Sequence, residues 1–413
     1  MEKKITEGAE KSSVEFKVLE NWVRGKVQEY IQLLLEEEVE ELLGRPKWER
    51  KGAVDAVQGY RNGYGKRRYL TLSSGTIELK RPRVRGLEER FVSKVLPLFC
   101  RRTKEVGDLL PELYLHGLAE GDFDLALRGL LGEKAPLSAG TVARLKQKWQ
   151  GEFIAWKTRS LKGLQVVYLW VDGIYVKAGL EKEKAAVLTV IAGLSDGRKV
   201  ILHLGSGYRE SKESWLGVLR ELKERGIEDP ALVVADGHLG IWAALPEIFP
   251  EAREQRCWNH KVVNVLDQVS TKKQTEAKML VSAIPYSATR EEAEKGRGNF
   301  EAWCKTNGFE KAAEVLARDW ERMMSFYSFP KEHWHHIRTT NVVESPFASL
   351  RLRTDAAKRF KKVENATAVI WKMMLVSEKR FRRLDSPELL KEVYEGVEFA
   401  DGVAIKKRKG VAA

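Results

Sequence analysis

Two short apolar runs, each closed by an aspartate, narrow what this chain can fold into. Leu164-Gln165-Val166-Val167-Tyr168-Leu169-Trp170-Val171 leads to Asp172, and Ala231-Leu232-Val233-Val234-Ala235 leads to Asp236. Runs apolar on both alternating faces, and too short for a core helix, read as strands buried on both sides. Each delivers a carboxylate at its carboxyl end, where open α/β sheets place their ligands. A third acid, Glu344, follows the polar run Thr339-Thr340-Asn341 and enters a helix-like segment.

Three carboxylates brought together raise one another's pKa, and bound cations remove that penalty. Magnesium prefers carboxylate oxygen and keeps several waters, so a few acids suffice, and manganese would substitute. Two such ions, ~3.5–4 Å apart, serve phosphodiester cleavage by activating the attacking oxygen and stabilising the leaving one. Each acid has a plainer explanation too. Asp172 and Asp236 precede Gly173 and Gly237, and Asp-Gly is a common strand-ending turn. Glu344 stands three residues after Asn341, a capping-box spacing, with Ser345 as a competing cap before Pro346.

The charge distribution points the same way. Formal net charge is +13, yet residues 61 to 104 alone carry +10 and residues 350 to 383 carry +8, leaving the remainder mildly acidic. Basic stretches interleaved with aromatics (Tyr60, Tyr64, Tyr69; Phe360, Trp371, Phe381) fit nucleic acid, and a single one would read as a solvated face. Three scattered cysteines without CxxC spacing exclude a disulfide framework and fit a reducing cytoplasm. The longest apolar stretch, residues 185 to 194, falls short of the ~18 residues needed to span a bilayer, so no membrane association is expected. The start leads into no apolar signal segment, so the expected location is cytoplasmic and nucleoid-associated.

Along the chain, Val18, Trp22, Val27, Tyr30 and Leu34 recur at helical spacing, predicting an amphipathic helix over residues 14 to 43 that packs on its own domain or a second subunit. A basic hairpin follows over residues 66 to 80, turning at Ser73-Ser74-Gly75. Residues 103 to 150 read as three helices. The second is capped by Asp122 and the third, capped by Ser138, runs to Trp149. A short helix, a turn and a basic helix resemble a helix-turn-helix DNA reader, with Thr141, Arg144, Lys146 and Lys148 facing phosphates or bases; a plain three-helix unit is the alternative. From residue 164 the expected order is a strand ending at Asp172, two further strands across the Asp196-Gly197 turn, a helix over 211 to 225, a strand ending at Asp236, a helix and a short strand to Arg256. That order is the one expected of an RNase H-like α/β fold. Residues 261 to 332 are helical, with Trp303, Trp320 and Phe326 as core anchors. His333, His335 and His336 read as loop residues within reach of substrate phosphates.

Four motifs carry a resemblance. They are Val171-Asp172-Gly173-Ile174-Tyr175-Val176-Lys177, Ala235-Asp236-Gly237-His238-Leu239-Gly240-Ile241-Trp242, Cys257-Trp258-Asn259-His260, and Thr339-Thr340-Asn341-Val342-Val343-Glu344-Ser345-Pro346-Phe347 with Arg351-Leu352-Arg353-Thr354. In these the chain resembles the Mutator-type transposases of bacterial insertion sequences, a DDE family with an RNase H-like core. Gly59-Tyr60-Arg61-Asn62-Gly63-Tyr64 is similar to that family's amino-terminal motif. The acids stand 64 and 108 residues apart, and the longer interval matches the family's helical insertion before its last acid.

The resemblance implies an enzyme that binds terminal inverted repeats in double-stranded DNA, cleaves at the transposon 3′ end and transfers that strand into target DNA. Asp172, Asp236 and Glu344 would hold magnesium. Cys257, His260, Arg351, Arg353 and Lys358, with Arg144, Lys146, Lys148 and Arg61, would contact DNA. Residues 1 to 100 would form a helix-plus-hairpin module for dimerisation and DNA binding, and residues 101 to 160 the helix-turn-helix-like domain. Residues 161 to 265 with 333 to 400 would form the catalytic core, interrupted by an all-helical insertion over 266 to 332. A homodimer or higher homo-oligomer follows from the need to hold two ends. The alternatives are a domesticated DNA-binding protein without catalysis, or a structure-selective nuclease on the same core.

Overall fold

A computed structural model describes residues 2–51, 58–116, 118, 122–132, 135, 139–176, 185–207, 210–237, 239–356 and 363–405. Its contacts cluster into two compact units, Met1–Leu145 and Lys146–Ala413.

The first unit is built around α1 (Glu2–Leu43), which begins well before the expected residue 14. Leu35, Val39 and Leu43 are buried, whereas Val18, Leu19, Trp22, Val23 and Tyr30 are exposed. The helix therefore lends only its C-terminal part to a small core with Leu70, Ile77, Leu79 and Leu96. Strand β1 (Tyr60–Tyr64) precedes the hairpin, which forms from β2 (Arg68–Leu72) and β3 (Gly75–Leu79), paired from Arg68↔Leu79 to Leu72↔Gly75. The turn is therefore Ser73-Ser74, and Gly75 belongs to the strand with φ +120°, where a side chain would be strained. Strand β4 (Pro82–Arg85) returns to pair with β1. Helices α2 (Lys104–Leu115) and α3 (Asp122–Leu131) follow, with Asp122 already inside its helix.

The next helix, α4 (Ala139–Lys157), is longer than its sequence signature predicts, and Ser138, its expected cap, lies outside the described residues. It does not stop near Trp149. Phe153 and Trp156 lie 5.7 and 5.9 Å, ring to ring, from Trp371, and this packing outweighs the roughly 1 kcal/mol that Gly151 costs inside a helix.

The second unit holds a five-stranded mixed sheet in the order β7-β6-β5-β8-β9. Strands β5 (Val166–Val176), β6 (Ala185–Leu194) and β7 (Lys199–Gly207) form an antiparallel meander. Between β6 and β7 the Asp196-Gly197 turn has Gly197 at φ +83°. Helix α5 (Lys212–Glu224), capped by Ser211, leads to β8 (Leu232–Ala235), which lies parallel to β5. Helix α6 (Leu239–Ile248) leads to β9 (Arg253–Arg256), parallel to β8.

One face of the sheet is covered by α5 and α6. Leu169, Val171, Leu188, Val190, Val233 and Ala235 meet Trp215, Leu219, Leu222, Ile241 and Leu245 there. Each such side chain contributes roughly 1.5–3 kcal/mol when fully buried. The opposite face begins with Tyr168 and Trp170, which are also fully buried.

Helices α7 (Trp258–Leu266), α8 (Gln274–Ala283), α9 (Arg290–Asn307), α10 (Glu310–Ala317) and α11 (Trp320–Met324) then form a helical region. Trp320 and Phe326 are buried as expected, but Trp303 is only half-buried and donates to Glu276. A polar lock joins this region to the sheet. Asp319 accepts from Arg256 and from the Nζ of Lys261, which is 1% exposed and also donates to the Val315 carbonyl at 2.6 Å. Helices α12 (Trp334–Ile337), α13 (Asn341–Ala356), α14 (Val363–Glu378) and α15 (Pro387–Tyr394) and the short pair β10 (Phe399–Ala400) and β11 (Val403–Ala404) complete the chain. Helix α13 packs on β5 and β6, and α14 on β7.

Candidate active site

The sheet register brings the first two acids together. Tyr168, Leu169 and Trp170 of β5 stand opposite Leu232, Val233 and Val234 of β8. Two residues further on, the same register sets Asp172 beside Asp236, on strands spaced about 4.8 Å apart. Both alternate with residues turned toward α5 and α6, Val171 and Ala235, so both belong to the face that receives α13. Asp172 does not end its strand, contrary to expectation: β5 continues to Val176, held by β6 through Tyr175↔Ala186. The Asp-Gly step at 172 is therefore not a turn. The one at 236 does leave the strand, and Gly237 has φ +109°.

A fourth carboxylate, which the motifs do not include, joins them. Glu210 lies between β7 and the cap of α5, and ligand oxygens of Asp172, Glu210 and Asp236 all lie within 4.8 Å of one another. Glu210 is 7% exposed. Burial, together with Asp236, Glu210 and Glu344, pushes Asp172 up to about 7, against the Gly173 N–H that donates to its Oδ1 at 2.8 Å. Burial and Glu210 likewise push the Tyr175 phenol up to about 12, so it stays protonated and donates to Glu210. The signal available for Glu210 was its place in a strand-to-helix turn. Tyr175 stood in the first motif without an assigned role.

Glu344 arrives from α13, whose first residue is Asn341. Backbone N–H groups of Val343 and Glu344 donate to the Thr340 carbonyl at 2.9 and 3.0 Å. Thr340 thus precedes the helix, rather than Asn341 or Ser345, and the Asn341 side chain instead accepts from Asn259 at 2.9 Å. Pro346 sits inside α13, where it forgoes one backbone hydrogen bond. The Glu344 carboxylate is close enough to act on Asp172, yet it is turned toward a second cluster with Cys257 and His260. The Thr340 hydroxyl donates to Glu344 Oε1 and lies 3.1 Å from Cys257 Sγ. His260 Nδ1 is 3.7 Å from Glu344 Oε1.

The Cys-x-x-His spacing has a local cause. Cys257 precedes α7 and His260 is in its first turn, so residues three apart share one side of the helix. The hydrogen bond with Cys257, then the carboxylates of Glu344 and Asp236, push His260 up to about 9 despite burial, making it an imidazolium at neutral pH.

The cations read as DNA contacts are dispersed. Arg351 is exposed on α13, Arg353 belongs to the same helix, and Lys358 lies outside the described residues, as does His238. Arg144 and Lys148 are exposed on α4, where Lys148 stands 3.7 Å from Glu152, and Lys146 is half-buried. Arg61 is paired with Glu36 at 2.8 Å and Glu40 at 3.2 Å. Cys257 is fully buried, so its side chain meets Thr340 and His260 rather than solvent. His333 is buried as well, with Nδ1 2.8 Å from the Tyr168 hydroxyl, and so is part of the core rather than a loop.

Comparison with known proteins agrees with the motifs. Residues 2–382 match the family described as Transposase, Mutator family. The chain belongs to the Mutator family of transposases. It is 39% identical over 302 residues to the transposase for insertion sequence element IS6120 of Mycolicibacterium smegmatis, covering 73% of this chain and 93% of that protein. It is 37% identical over 280 residues to the transposase for insertion sequence element IST2 of Acidithiobacillus ferrooxidans, covering 67% and 94%. Identity to the transposase for IS256 in transposon Tn4001 of Staphylococcus aureus is 24% over 367 residues, covering 88% and 92%.

Proposed function

We propose that this chain is the transposase of a bacterial insertion sequence, acting in the cytoplasm on the terminal inverted repeats of its own element. It hydrolyses the phosphodiester at the transposon 3′ end and directs the freed 3′-hydroxyl at target DNA. The observation that carries this is the proximity of Asp172 and Asp236. They follow the last registered pair of β5 and β8, Trp170↔Val234, by two residues each and hold ligand oxygens within 4.8 Å of one another, with Glu344 close enough to act on Asp172. Support for an RNase H-like core comes from the strand order: an antiparallel meander followed by two parallel strands on the side of its first member.

Asp172, Asp236 and Glu344 would hold magnesium, and the raised Asp172 and the crowded oxygens are what such acids show before cations offset their repulsion. The metal would supply Lewis-acid stabilisation of charge on the phosphate oxygens. The protein's own part is to hold the carboxylates on rigid strands and to set cations beside them. His260, positively charged next to Glu344, and Arg351, exposed one helical stretch beyond it, would take the DNA backbone past the acids. End recognition would belong to residues 1 to 160, as a helix-plus-hairpin module followed by a helix-turn-helix-like domain.

Asp172→Asn is expected to abolish metal-dependent nicking and strand transfer of a labelled end substrate while leaving end binding within about twofold, as a carboxylate that acts only in chemistry requires. Nicking at the wild-type rate by that variant would remove Asp172 from the mechanism. Nicking without joined products would leave a nuclease in place of a transposase.

A further inference from the structure

We propose that Thr340 is the positioning residue of the third acid, tying the Glu344 carboxylate through Cys257 to the strand end that leads into Asp236. The assignment rests on the reading of Glu344 as a metal ligand and adds the side chain that sets where it lies.

The tie can be followed bond by bond. The backbone N–H of Cys257 donates to the Ala235 carbonyl at 2.7 Å, and Ala235 is the residue before Asp236. The Cys257 sulfur in turn accepts from the Thr340 N–H at 3.3 Å and stands 3.1 Å from the Thr340 hydroxyl. That hydroxyl donates to Glu344 Oε1. The Thr340 carbonyl accepts from the Glu344 N–H at 3.0 Å, so one residue grips both the backbone and the side chain of the acid. Two further bonds fasten the same segment to the start of α7. The Trp258 N–H donates to the Arg338 carbonyl at 3.0 Å, and the Asn259 side chain to that of Asn341 at 2.9 Å.

Such a tie answers a problem particular to this acid. Asp172 and Asp236 have short side chains placed by neighbouring strands of one sheet. Glu344 comes from a helix, 108 residues after Asp236, on a longer side chain with more freedom to lose. A ligating carboxylate is held by hydrogen bonds from groups behind it, and removing one typically costs about 10- to 100-fold in metal affinity or activity.

Burial separates this role from direct contact. Thr340 is fully buried, so it meets neither solvent nor DNA and acts on the reaction through its neighbours. Thr339 supplies the contrast: it is buried too, with a hydroxyl that has no hydrogen-bond partner among the described residues. Of the two adjacent threonines, Thr340 is the one whose hydroxyl is spent on the acid.

The test is a double-mutant cycle on the full chain, read by manganese binding without DNA through loss of the free-ion electron paramagnetic resonance signal. Thr340→Val removes the hydroxyl and keeps the shape. It is expected to weaken, by about 10-fold, the manganese site that Glu344→Gln weakens. Thr340→Ser is expected to recover most of that loss. Thr340→Val combined with Glu344→Gln is expected to bind no more weakly than Glu344→Gln alone, because two changes acting through one carboxylate do not add. Thr339→Val is expected to bind as wild type does. Metal-dependent nicking is expected to follow the same order, lost in kcat rather than KM. Thr340→Ala takes the place of the valine variant if that one folds poorly by circular dichroism. Wild-type affinity in Thr340→Val, no recovery in Thr340→Ser, or a loss that adds to that of Glu344→Gln overturns the assignment and leaves the transposase reading intact. Wild-type manganese affinity in Glu344→Gln overturns both the reading of Glu344 as a ligand and this assignment.

Discussion

At position 173 a single hydrogen in place of a side chain decides how the site is built. Gly173 lets the Glu210 carboxylate lie against β5, beside Asp172. Gly173→Ala is expected to cost about 1–3 kcal/mol of stability by overpacking, measured by urea denaturation. An alanine variant as stable as wild type would mean that Glu210 moves away at no cost. The asymmetry in what was legible here is instructive. Asp172 and Asp236 stand out because each follows an apolar run, and a strand's period assigns a face to each residue along it, although β5 runs on past Asp172 and β8 stops just before Asp236. Glu210 carries no such mark: it is one of 59 acidic residues, in a short connection whose conformation depends on where two elements meet. Thr340 stood in a motif, but its contact was not legible for a similar reason, since its link to Cys257 spans 83 residues.

Among the elements, α5 shows how its sheet-facing side is tied down by charge. Glu221 meets His203 Nδ1 at 3.2 Å, Arg225 at 3.1 Å and Lys157 at 3.4 Å. Burial alone would raise its carboxyl, but these partners outweigh burial and hold it at about 2. A folded pKa below the unfolded value gives stability that is present above pH 4.5 and is lost as pH falls toward 2. The contribution is about 1–3 kcal/mol once partial exposure is discounted. Glu221→Gln is therefore expected to be less stable than wild type at pH 7 and to lose less between pH 5 and pH 3, measured by denaturation at each pH. Parallel slopes for the two proteins would show that Glu221 is not what the acid attacks. Element type was readable wherever apolar periodicity ran long, as in β6, α5 and β8. Lengths were not. α1 extends back through the charged residues before Val14, and α4 runs on past Gly151 because aromatic packing with α14 settles a choice that local propensity leaves open.

Over the whole molecule, charge and apolar surface are the features that composition foreshadowed. The N-terminal basic stretch falls in the first unit and the C-terminal one in the second, so each unit brings its own cations to the proposed DNA partner. On the proposed mechanism two transposon ends would be held by at least two subunits, and α1 offers an apolar stripe of Val18, Leu19, Trp22, Val23 and Tyr30, with Trp22 61% exposed. We propose this stripe as the contact with a second copy of the chain. Trp22→Asp is expected to shift the sedimentation coefficient to that of a smaller species. A variant that sediments as wild type does would move the contact elsewhere.

The last acid lies beyond the helical region that the Arg256–Asp319–Lys261 lock fastens to the sheet. On the proposed mechanism, a ribosome finishes the meander, β8 and β9 long before it reaches codon 344. A message broken anywhere in that interval yields a product with its ends of the sheet in place and no power to cut. On that mechanism a cutting site would be complete only once position 344 and everything before it had been made.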